Sequence, residues 1–391
     1  MANLQYTDDN WLGEVPAHWP IVPSRSLFSN PVERNRGDDI HLTPSQKFGV
    51  IPQSEYMEIT GSRVVLNLSG ADNMRHVEPG DYVSHLRSFQ GGLEYSPYKG
   101  KVSSAYTVLR PKRQIEPRFY KYLFKSGRYV QGLATTTEQL RDGQSIRYQQ
   151  FSLLPLPYPP IEEQKAIADF LDWELDVLDA GAAKQKALID LLDELKRAVI
   201  KRSITLGLAG STENWDRTRL RYLASVESGS DYKEIEVAEG GFPVYGSGGE
   251  FTRASKCMHS GESVLMGRKG TIDRPLYVNG SFWTVDTMFW TKFKSGVHVK
   301  FIYYWATTLP FNLFKTSTAL PSMTGTDLKN MPIHLPPLPV QIQIANYLDE
   351  VTDSMTKLAE AAQAFLATTN ERRQALINAA VTGKIEIQGM N

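Results

Sequence analysis

The stretch that decides the fold occurs twice in this 391-residue chain. The first copy reads Pro159-Pro160-Ile161-Glu162-Glu163-Gln164-Lys165-Ala166-Ile167-Ala168-Asp169-Phe170-Leu171-Asp172, and the second reads Pro336-Pro337-Leu338-Pro339-Val340-Gln341-Ile342-Gln343-Ile344-Ala345-Asn346-Tyr347-Leu348-Asp349. They align without a gap at an offset of 177 residues. From Ile161 onward 12 of 46 positions are identical, where about three would match by composition alone. The chain therefore contains an internal repeat.

Each copy predicts a long helix. A proline pair precedes the first turn, which needs no N–H donor there, and Gly207 or Gly383 stands at the far end. Apolar residues recur at spacings of four and three, which is typical of a coiled-coil seam. The predicted seam comprises Ile167, Leu171, Leu178, Leu188, Leu192, Leu195 and Val199 in the first helix and Ile344, Leu348, Val351, Met355, Leu358, Phe365 and Leu376 in the second.

A helix of this length cannot bury its apolar stripe alone, and the chain supplies one matching partner. We therefore expect the two helices to pair as an antiparallel coiled coil with pseudo-twofold symmetry. The alternative is two amphipathic helices that lie in separate cores.

Weaker similarity precedes both helices. It predicts a first globular head over residues 1–158, a spacer helix over 159–208, a second head over 209–335, and a second spacer helix with a tail over 336–391. Short alternating runs indicate strands in each head, and aromatic-rich stretches at Phe119 and Phe301 indicate buried helices. The expected fold class is α+β, with two α/β heads in tandem, each followed by a long helix.

Composition limits the possible functions. The chain has 43 basic and 43 acidic residues, so any DNA binding must rely on local basic patches. No apolar run is long enough to cross a membrane, no signal-peptide pattern is present at the start, and the single cysteine, Cys257, fits a reducing cytoplasm. Neither a Walker-type phosphate loop nor an adenine-methyltransferase Asn/Asp-Pro-Pro-aromatic motif is found, and the seven histidines lack metal-ligand spacing. We therefore predict no catalytic residue, cofactor or metal site.

Several polar and basic stretches in the heads suit contacts with a DNA duplex. Arginine and glutamine form the best-matched pairs with guanine and adenine, and glycines let the backbone approach phosphates closely. For each stretch the alternative is an ordinary solvated turn. The predicted DNA-contacting residues are Arg87, Arg141, Gln144, Ser145 and Arg147 in the first head, and Tyr245, Ser247, Gly248, Arg268, Lys269, Thr271, Ser322 and Thr324 in the second.

The repeated Pro-Pro-x-x-x-Gln-x-x-Ile-Ala-x-Phe/Tyr-Leu-Asp motif, the ending Val381-Thr382-Gly383-Lys384 and the start Trp11-Leu12-Gly13-Glu14 resemble the DNA specificity subunits of type I restriction–modification systems. The resemblance implies that each head reads one half of a bipartite double-stranded DNA target. It also implies that the helix pair sets the gap and docks two adenine-methylating modification subunits, with a restriction subunit joining that core. A coiled-coil scaffold that does not read DNA is the alternative.

Overall fold

The computed structural model describes residues 4–7, 11–62, 73–85, 91–136, 146–311, 322–385 and 387. The chain forms two compact units, Met1–Lys184 with Phe365–Asn391, and Gln185–Ala364. Each unit therefore contains one head, the adjoining half of one long helix, and a half of the other long helix. The predicted fold class, two mixed α and β heads with long helices that pack together, is confirmed.

The helices of the described residues are short in the heads and long between them. They are α1 (Ser24–Leu27), α2 (Gln53–Thr60), α3 (Pro117–Lys125), α4 (Gly127–Thr135), α5 (Tyr148–Leu153), α6 (Ile161–Leu206), α7 (Leu220–Leu223), α8 (Val299–Thr307), α9 (Gly325–Lys329) and α10 (Leu338–Val381), with a 3-10 turn at Lys233–Ile235.

The strands of the first head are β1 (Leu4–Tyr6), β2 (Glu14–Pro16), β3 (Ile21–Pro23), β4 (Phe28–Ser29), β5 (Leu42–Ser45), β6 (Gly49–Pro52), β7 (Arg75–Val77), β8 (Tyr82–Val83), β9 (Glu94–Tyr95), β10 (Gly100–Val102), β11 (Val108–Pro111) and β12 (Pro155–Pro157). Those of the second head are β13 (Asp216–Arg219), β14 (Ala224–Ser228), β15 (Glu236–Val237), β16 (Phe242–Gly246), β17 (Gly249–Ala254), β18 (His259–Gly267), β19 (Leu276–Thr284), β20 (Met288–Phe293) and β21 (Pro332–Leu335).

The first head is built around an aromatic core. A four-stranded sheet in the order β4-β11-β8-β9 lies beside α3, whose Phe119 and Phe124 are fully buried. Phe28 packs edge-on against Tyr82 and Tyr120 at ring distances of 5.7 and 5.3 Å. As predicted, the aromatic helix contributes to the core and does not form a stacking surface.

The second head is organised differently, around a seven-stranded sheet in the order β14-β20-β18-β19-β16-β17-β15. Most neighbours are antiparallel, but β16 runs parallel to β19. The buried Phe301 of α8 and Met266 of β18 belong to one apolar cluster. The two heads therefore share flanking elements and differ in their central sheets.

Each head is closed in the same way before its long helix begins. In the first head β3 pairs with β12, and in the second β13 pairs with β21, both antiparallel. The first strand of each pair leads into a one-turn helix, α1 or α7. The two ends of each head are therefore joined by hydrogen bonds immediately before the chain enters α6 or α10.

Within each unit the paired helix halves run antiparallel. In the first unit Arg373 of α10 forms an ion pair with Asp179 of α6, and the ring of Phe365 lies beside Gly181. In the second unit Lys196 of α6 donates to Thr356 of α10 at 3.2 Å.

The buried stripe of α6 and α10 keeps the heptad spacing but differs from the predicted seam at alternate positions. Among the predicted residues, Ile167, Leu171, Leu192, Ile344 and Leu348 are buried, and Leu178, Val199, Val351, Met355 and Leu376 are half-buried. The prediction is wrong at Leu188, Leu195 and Leu358, which are 39%, 46% and 56% exposed, whereas Phe365, 48% exposed, keeps a contact with α6 at Gly181.

The difference has a simple geometric cause. The inner side of α6 passes through Ile189, and that of α10 passes through Thr352 and Ala359, each one residue after a predicted position. Steps of three and of four residues both return a helix to its apolar stripe, so the same heptad pattern fits either of two adjacent residues. At Leu188 and Leu358 the next residue in the chain is apolar too and takes the inner position.

One buried glutamine joins each head to its long helix, and the two glutamines are equivalent in the repeat. Gln164 and Gln341 are at most 1% exposed. The Gln164 side-chain oxygen accepts the backbone N–H of Glu116 at 2.9 Å, and that of Gln341 accepts the N–H of His298 at 2.8 Å. Each amide nitrogen also donates to the carbonyl five residues earlier in the chain. Since Glu116 and His298 immediately precede α3 and α8, the same clamp fixes the same helix in both units.

Equivalent aspartates form a second connection. Asp172 accepts hydrogen bonds from Tyr122 and, at 2.7 Å, from Arg118. Asp349 accepts from Tyr304 at 2.8 Å and, at 2.5 Å, from the lysine four residues before that tyrosine. Burial and the nearby carboxylate raise the pKa of both tyrosines, which therefore stay protonated and donate. The repeat thus preserves the attachment of the heads.

Candidate nucleic-acid interface

A cavity of about 400 Å³ opens in the second head beside the end of β18. It is lined by four of the residues predicted to contact DNA and by one further cation. These residues are Arg268, Lys269, Ser322, Thr324 and Lys329. Two distant stretches of predicted contacts therefore meet at one place on the second head, which we call the cationic cavity.

Backbone hydrogen bonds hold the two stretches together. Lys269 and Ser322 form an isolated β-bridge, and the N–H after Ser322 donates to the carbonyl of Arg268 at 3.0 Å. The chain turns back sharply between Gly267 and Thr271, since a Cβ on Gly267 would lie 2.4 Å from the carbonyl oxygen of Thr271. Glycine is required at this position, and the turn presents both cations.

No carboxylate of the described residues neutralises the cations of the cavity. Arg268 is half-buried and reaches only the backbone carbonyl of Asp286, at 3.4 Å, while Lys269 and Lys329 are exposed. Among the described residues, none of the three forms an ion pair with a carboxylate. Unpaired arginine and lysine side chains of this kind suit phosphate oxygens and the acceptor edge of guanine.

The glycine-rich hairpin between β16 and β17 adjoins this turn. Ser247 and Gly248 connect the strands, and a Cβ on Gly270 would lie 3.4 Å from the Ser247 hydroxyl. Gly248 is exposed, whereas the ring of Tyr245 packs edge-on against Phe282 at 6.3 Å. Ser247 and Gly248 thus lie beside the turn that carries the two cations but do not line the cavity, while Tyr245 packs against the apolar cluster that contains Phe282.

Thr324 acts within the protein. Its hydroxyl lies 2.5 Å from the carboxylate of Asp327 and accepts the backbone N–H of Asp327 at 3.1 Å. These bonds cap the first turn of α9, which is the usual role of threonine at this position. Thr324 is therefore a helix cap as well as a lining residue of the cavity, and its contact with DNA stays a prediction, as does that of Ser322.

In the first head most predicted contacts cannot be located. Arg87, Arg141, Gln144 and Ser145 lie outside the described residues. Arg147 is exposed, and its backbone N–H donates to the side chain of Gln150 at 2.9 Å at the start of α5. Its backbone is thus held at the start of α5, and its side chain is exposed.

Comparison with known families identifies the repeat. A model described as the type I restriction modification DNA specificity domain matches residues 43–186 and again residues 212–364, together well over half of the chain. The chain belongs to this family. Each match covers most of one head and the beginning of the long helix that follows it.

Members of the family from distant organisms are similar to parts of the chain. A putative type I restriction enzyme MjaX specificity subunit of Methanocaldococcus jannaschii is 26% identical over 218 residues, which cover 52% of this chain and 50% of the relative. The EcoKI specificity subunit of Escherichia coli K12 is 27% identical over 122 residues, covering 31% and 25%. The chain therefore spans about half or less of the length of these relatives.

Solved structures share the fold over nearly the whole length. A chain from a structure concerning complex assembly and conformational transition of the type I R-M system gives a TM-score of 0.77 at 16% identity, covering 95% of this chain and 99% of the other. The HsdS subunit from Thermoanaerobacter tengcongensis gives 0.59 at 18% identity, covering 95% and 98%.

The described residues contain neither a membrane-spanning helix nor a group of metal ligands. No helix there is long and apolar enough to cross a membrane. Nor does any group of three or more His, Cys, Asp or Glu side chains in the same residues have an arrangement that could hold a metal ion.

Sequence reasoning missed some residues that the structure places at important positions. Lys329 lines the cationic cavity but stands on a helix of five residues, too short for a periodic signal. Gln164 and Gln341 were detectable, because the repeat retains them at equivalent positions where a buried apolar residue would otherwise be expected. A glutamine that both copies of the repeat keep on an apolar helix face was the signal from which they could have been found.

Proposed function

We propose that this chain is the specificity subunit of a type I restriction–modification complex and reads a bipartite target in double-stranded DNA. Each head would contact one half of the target, and α6 with α10 would set the gap between the halves. The observation that carries the proposal is the double match to the DNA specificity domain, once for each head with its helix. Heads with different central sheets on equivalent attachments suit the reading of two different half-sites.

In the second head we propose that the cationic cavity meets the DNA. Arg268 and Lys269 would contact phosphates or guanine, Lys329 would contact a phosphate, and Ser322 and Ser247 would donate or accept at base edges or sugars. Thr271, at the end of the turn that carries Arg268 and Lys269, would contact the sugar–phosphate backbone of the DNA. In the first head Arg147 would contact the other half-site together with Arg141, Gln144 and Ser145, which shortly precede it in the sequence. Arg87, which aligns with Arg268 of the second head, would contact the same half-site.

The proposal assigns catalysis to partners. Two modification subunits, which methylate adenine, would dock along the long helices, a restriction subunit would join them, and the complex would work in the cytoplasm. Exposed apolar side chains on α6 support docking there, since Trp173, Val177 and Leu191 are 64%, 52% and 60% exposed. The chain itself would need no cofactor and no metal.

Selection from a library of random duplexes tests the proposal. The purified complex of this chain with its modification subunits should enrich two short conserved blocks separated by a fixed unconserved gap. Changing Arg268 and Lys269 to alanine should weaken binding and relax one block only, while changing the exposed Lys256 and Lys294 of the same head should leave both blocks intact. Failure of the intact complex to enrich any sequence would favour the scaffold alternative.

A further inference from the structure

An exposed aromatic side chain belongs to the glycine-rich hairpin that adjoins the turn carrying the two cations. Phe251 lies in β17, three residues after the turn residue Gly248, and is 53% exposed. Phenylalanine is among the residues most often buried in folded proteins, and an exposed ring that its neighbours also hold in place is a candidate contact residue. None of the contacts described above for the core of the second head uses this ring.

The ring is held in a fixed position. Tyr232 packs edge-on against it, with ring centroids 5.2 Å apart and planes at 85°. On its other side lies Gly246, where a Cβ would approach Phe251 to 3.2 Å. A side chain at residue 246 would therefore displace the phenyl ring, and glycine there allows it to lie across the hairpin.

Tyr232 is itself carried by a restrained segment. Just before it, the N–H of Gly229 donates to the carbonyl of Met288 at 3.0 Å, and the N–H of Ser230 donates to Thr284 at 3.0 Å. A Cβ on Gly229 would lie 2.1 Å from a backbone oxygen, so the segment lies close against the sheet. Phe251 is therefore braced, which lowers the entropic cost of inserting it into a ligand.

The surroundings indicate what kind of ligand receives the ring. The hairpin touches the cation turn through Ser247 and Gly270, as described above. A braced apolar ring beside unpaired cations and exposed glycines has the features of a wedge that enters a base-pair step while the cations hold the phosphates. A protein partner would be expected to cover a wider apolar area, whereas the preceding residue, Glu250, is exposed and paired with Arg253 at 3.1 Å.

We propose that Phe251, braced by Tyr232, inserts partly between two adjacent base pairs of the half-site bound by the second head and kinks the duplex there. The inference rests on the proposed DNA-reading function. A phenyl ring has no hydrogen-bonding group, so it cannot read base edges. It selects sequence through the cost of unstacking, which is lowest at flexible pyrimidine–purine steps.

The test uses the full chain in complex with its modification subunits and a duplex that carries the selected target. The adenine analogue 2-aminopurine, whose fluorescence rises when it is unstacked, replaces single bases across the half-site, avoiding the adenine that is methylated. Energy transfer between dyes on the two DNA ends reports bending. With the unaltered chain we expect a fluorescence rise at one step and a bent duplex.

Phe251→Ala should remove the rise and reduce the bend, and it should weaken target binding by about 5- to 100-fold, the effect typical of losing one stacked base. Phe251→Leu, which keeps an apolar wedge, should retain part of both signals and guards against a folding defect. Tyr222→Ala, which removes another exposed aromatic of the same head, should change neither.

An unchanged fluorescence profile and bend in Phe251→Ala would overturn the inference while leaving the DNA-reading function intact. Loss of assembly with the modification subunits, with normal DNA distortion in the complex that remains, would also overturn it and make Phe251 a protein contact. If the unaltered complex binds no target at all, the proposed function fails first, and the two failures are thus distinguishable.

Discussion

At the scale of single residues, the repeat preserves a small set of polar side chains that hold each head on its helix. Gln164 and Gln341 are buried and satisfied by backbone groups. A buried hydrogen bond adds only a little to the free energy of unfolding. Removing one partner lowers that free energy much more, because the other partner is left buried without a hydrogen bond. This explains why glutamine survives at both positions inside apolar helix faces.

We predict that Gln341→Ala lowers the free energy of unfolding of the second unit by about 1–3 kcal/mol, because the N–H of His298 then loses its acceptor. Gln343→Ala, two residues further along the same helix on its exposed side, is the matched control and should change stability by less than about 0.5 kcal/mol. Chemical denaturation followed by circular dichroism measures both. Equal effects of the two substitutions would contradict the clamp.

A buried histidine gives the first head a predictable pH dependence. His76 is fully buried between the carboxylates of Asp39 and Glu78, each 2.7 Å from one ring nitrogen. Burial lowers the pKa of His76, but the hydrogen bonds to Glu78 and Asp39 outweigh it and raise the pKa above its ordinary value of 6.5. Both ring nitrogens donate when the ring is charged, so the charged form is stabilised in the folded head.

The stability contributed by this charge is therefore fully present below pH 6.5 and is lost as the pH rises through the raised folded-state value. We predict that the melting temperature of the unaltered chain falls over that interval relative to His76→Gln, which cannot be charged. Melting curves of the two proteins, recorded at half-unit steps from pH 5.5 to 9, test this. A difference that is constant across the series would show that His76 does not gain a proton on folding.

At the scale of elements, the sequence predicted the existence, length and pairing of α6 and α10 because the 3.5-residue period persists over many turns. It did not predict which of two adjacent apolar residues faces inward. Ala359 lies inside and Leu358 outside, although leucine is the more apolar residue. The choice depends on how the heads hold the helices, through residues such as Gln164 and Asp172, and that information is not local.

Two adjacent leucines of α6 allow a direct test of the observed seam. Leu192 is 8% exposed and Leu191 is 60% exposed. Leu192→Ala should lower the free energy of unfolding by about 2–4 kcal/mol, because it leaves a cavity in a packed interior, whereas Leu191→Ala should cost less than about 0.5 kcal/mol. Both values come from the same denaturation experiment. A larger effect at Leu191 would place the seam one residue away.

The central sheets of the heads were harder to predict than the helices. Only short alternating runs signalled strands, and the seven-stranded order of the second head includes a parallel pair that no local pattern indicates. The meeting of Arg268 with Ser322 likewise depends on a β-bridge between distant segments. Sequence supplied the residue types of the interface, and long-range pairing decided which of them lie together.

At the scale of the whole molecule, we propose that the heads read the target and that the helices set the gap between its halves. α6 has 46 residues and α10 has 44, so each would be about 65–70 Å long at ~1.5 Å per residue. The unit boundaries fall between Lys184 and Gln185 in α6 and between Ala364 and Phe365 in α10. An insertion at both places therefore adds helix between the heads without altering the residues that pack against either one.

The most direct test is to insert one heptad at both boundaries and to map methylated adenines in cells that carry the modification subunits. Seven residues add about 10.5 Å of helix and preserve the heptad phase, and this length corresponds to about three base pairs at ~3.4 Å each. We predict that both half-site sequences stay the same while the gap between them grows by about three base pairs. An unchanged gap, or altered bases in either half-site, would contradict the division of labour between heads and helices.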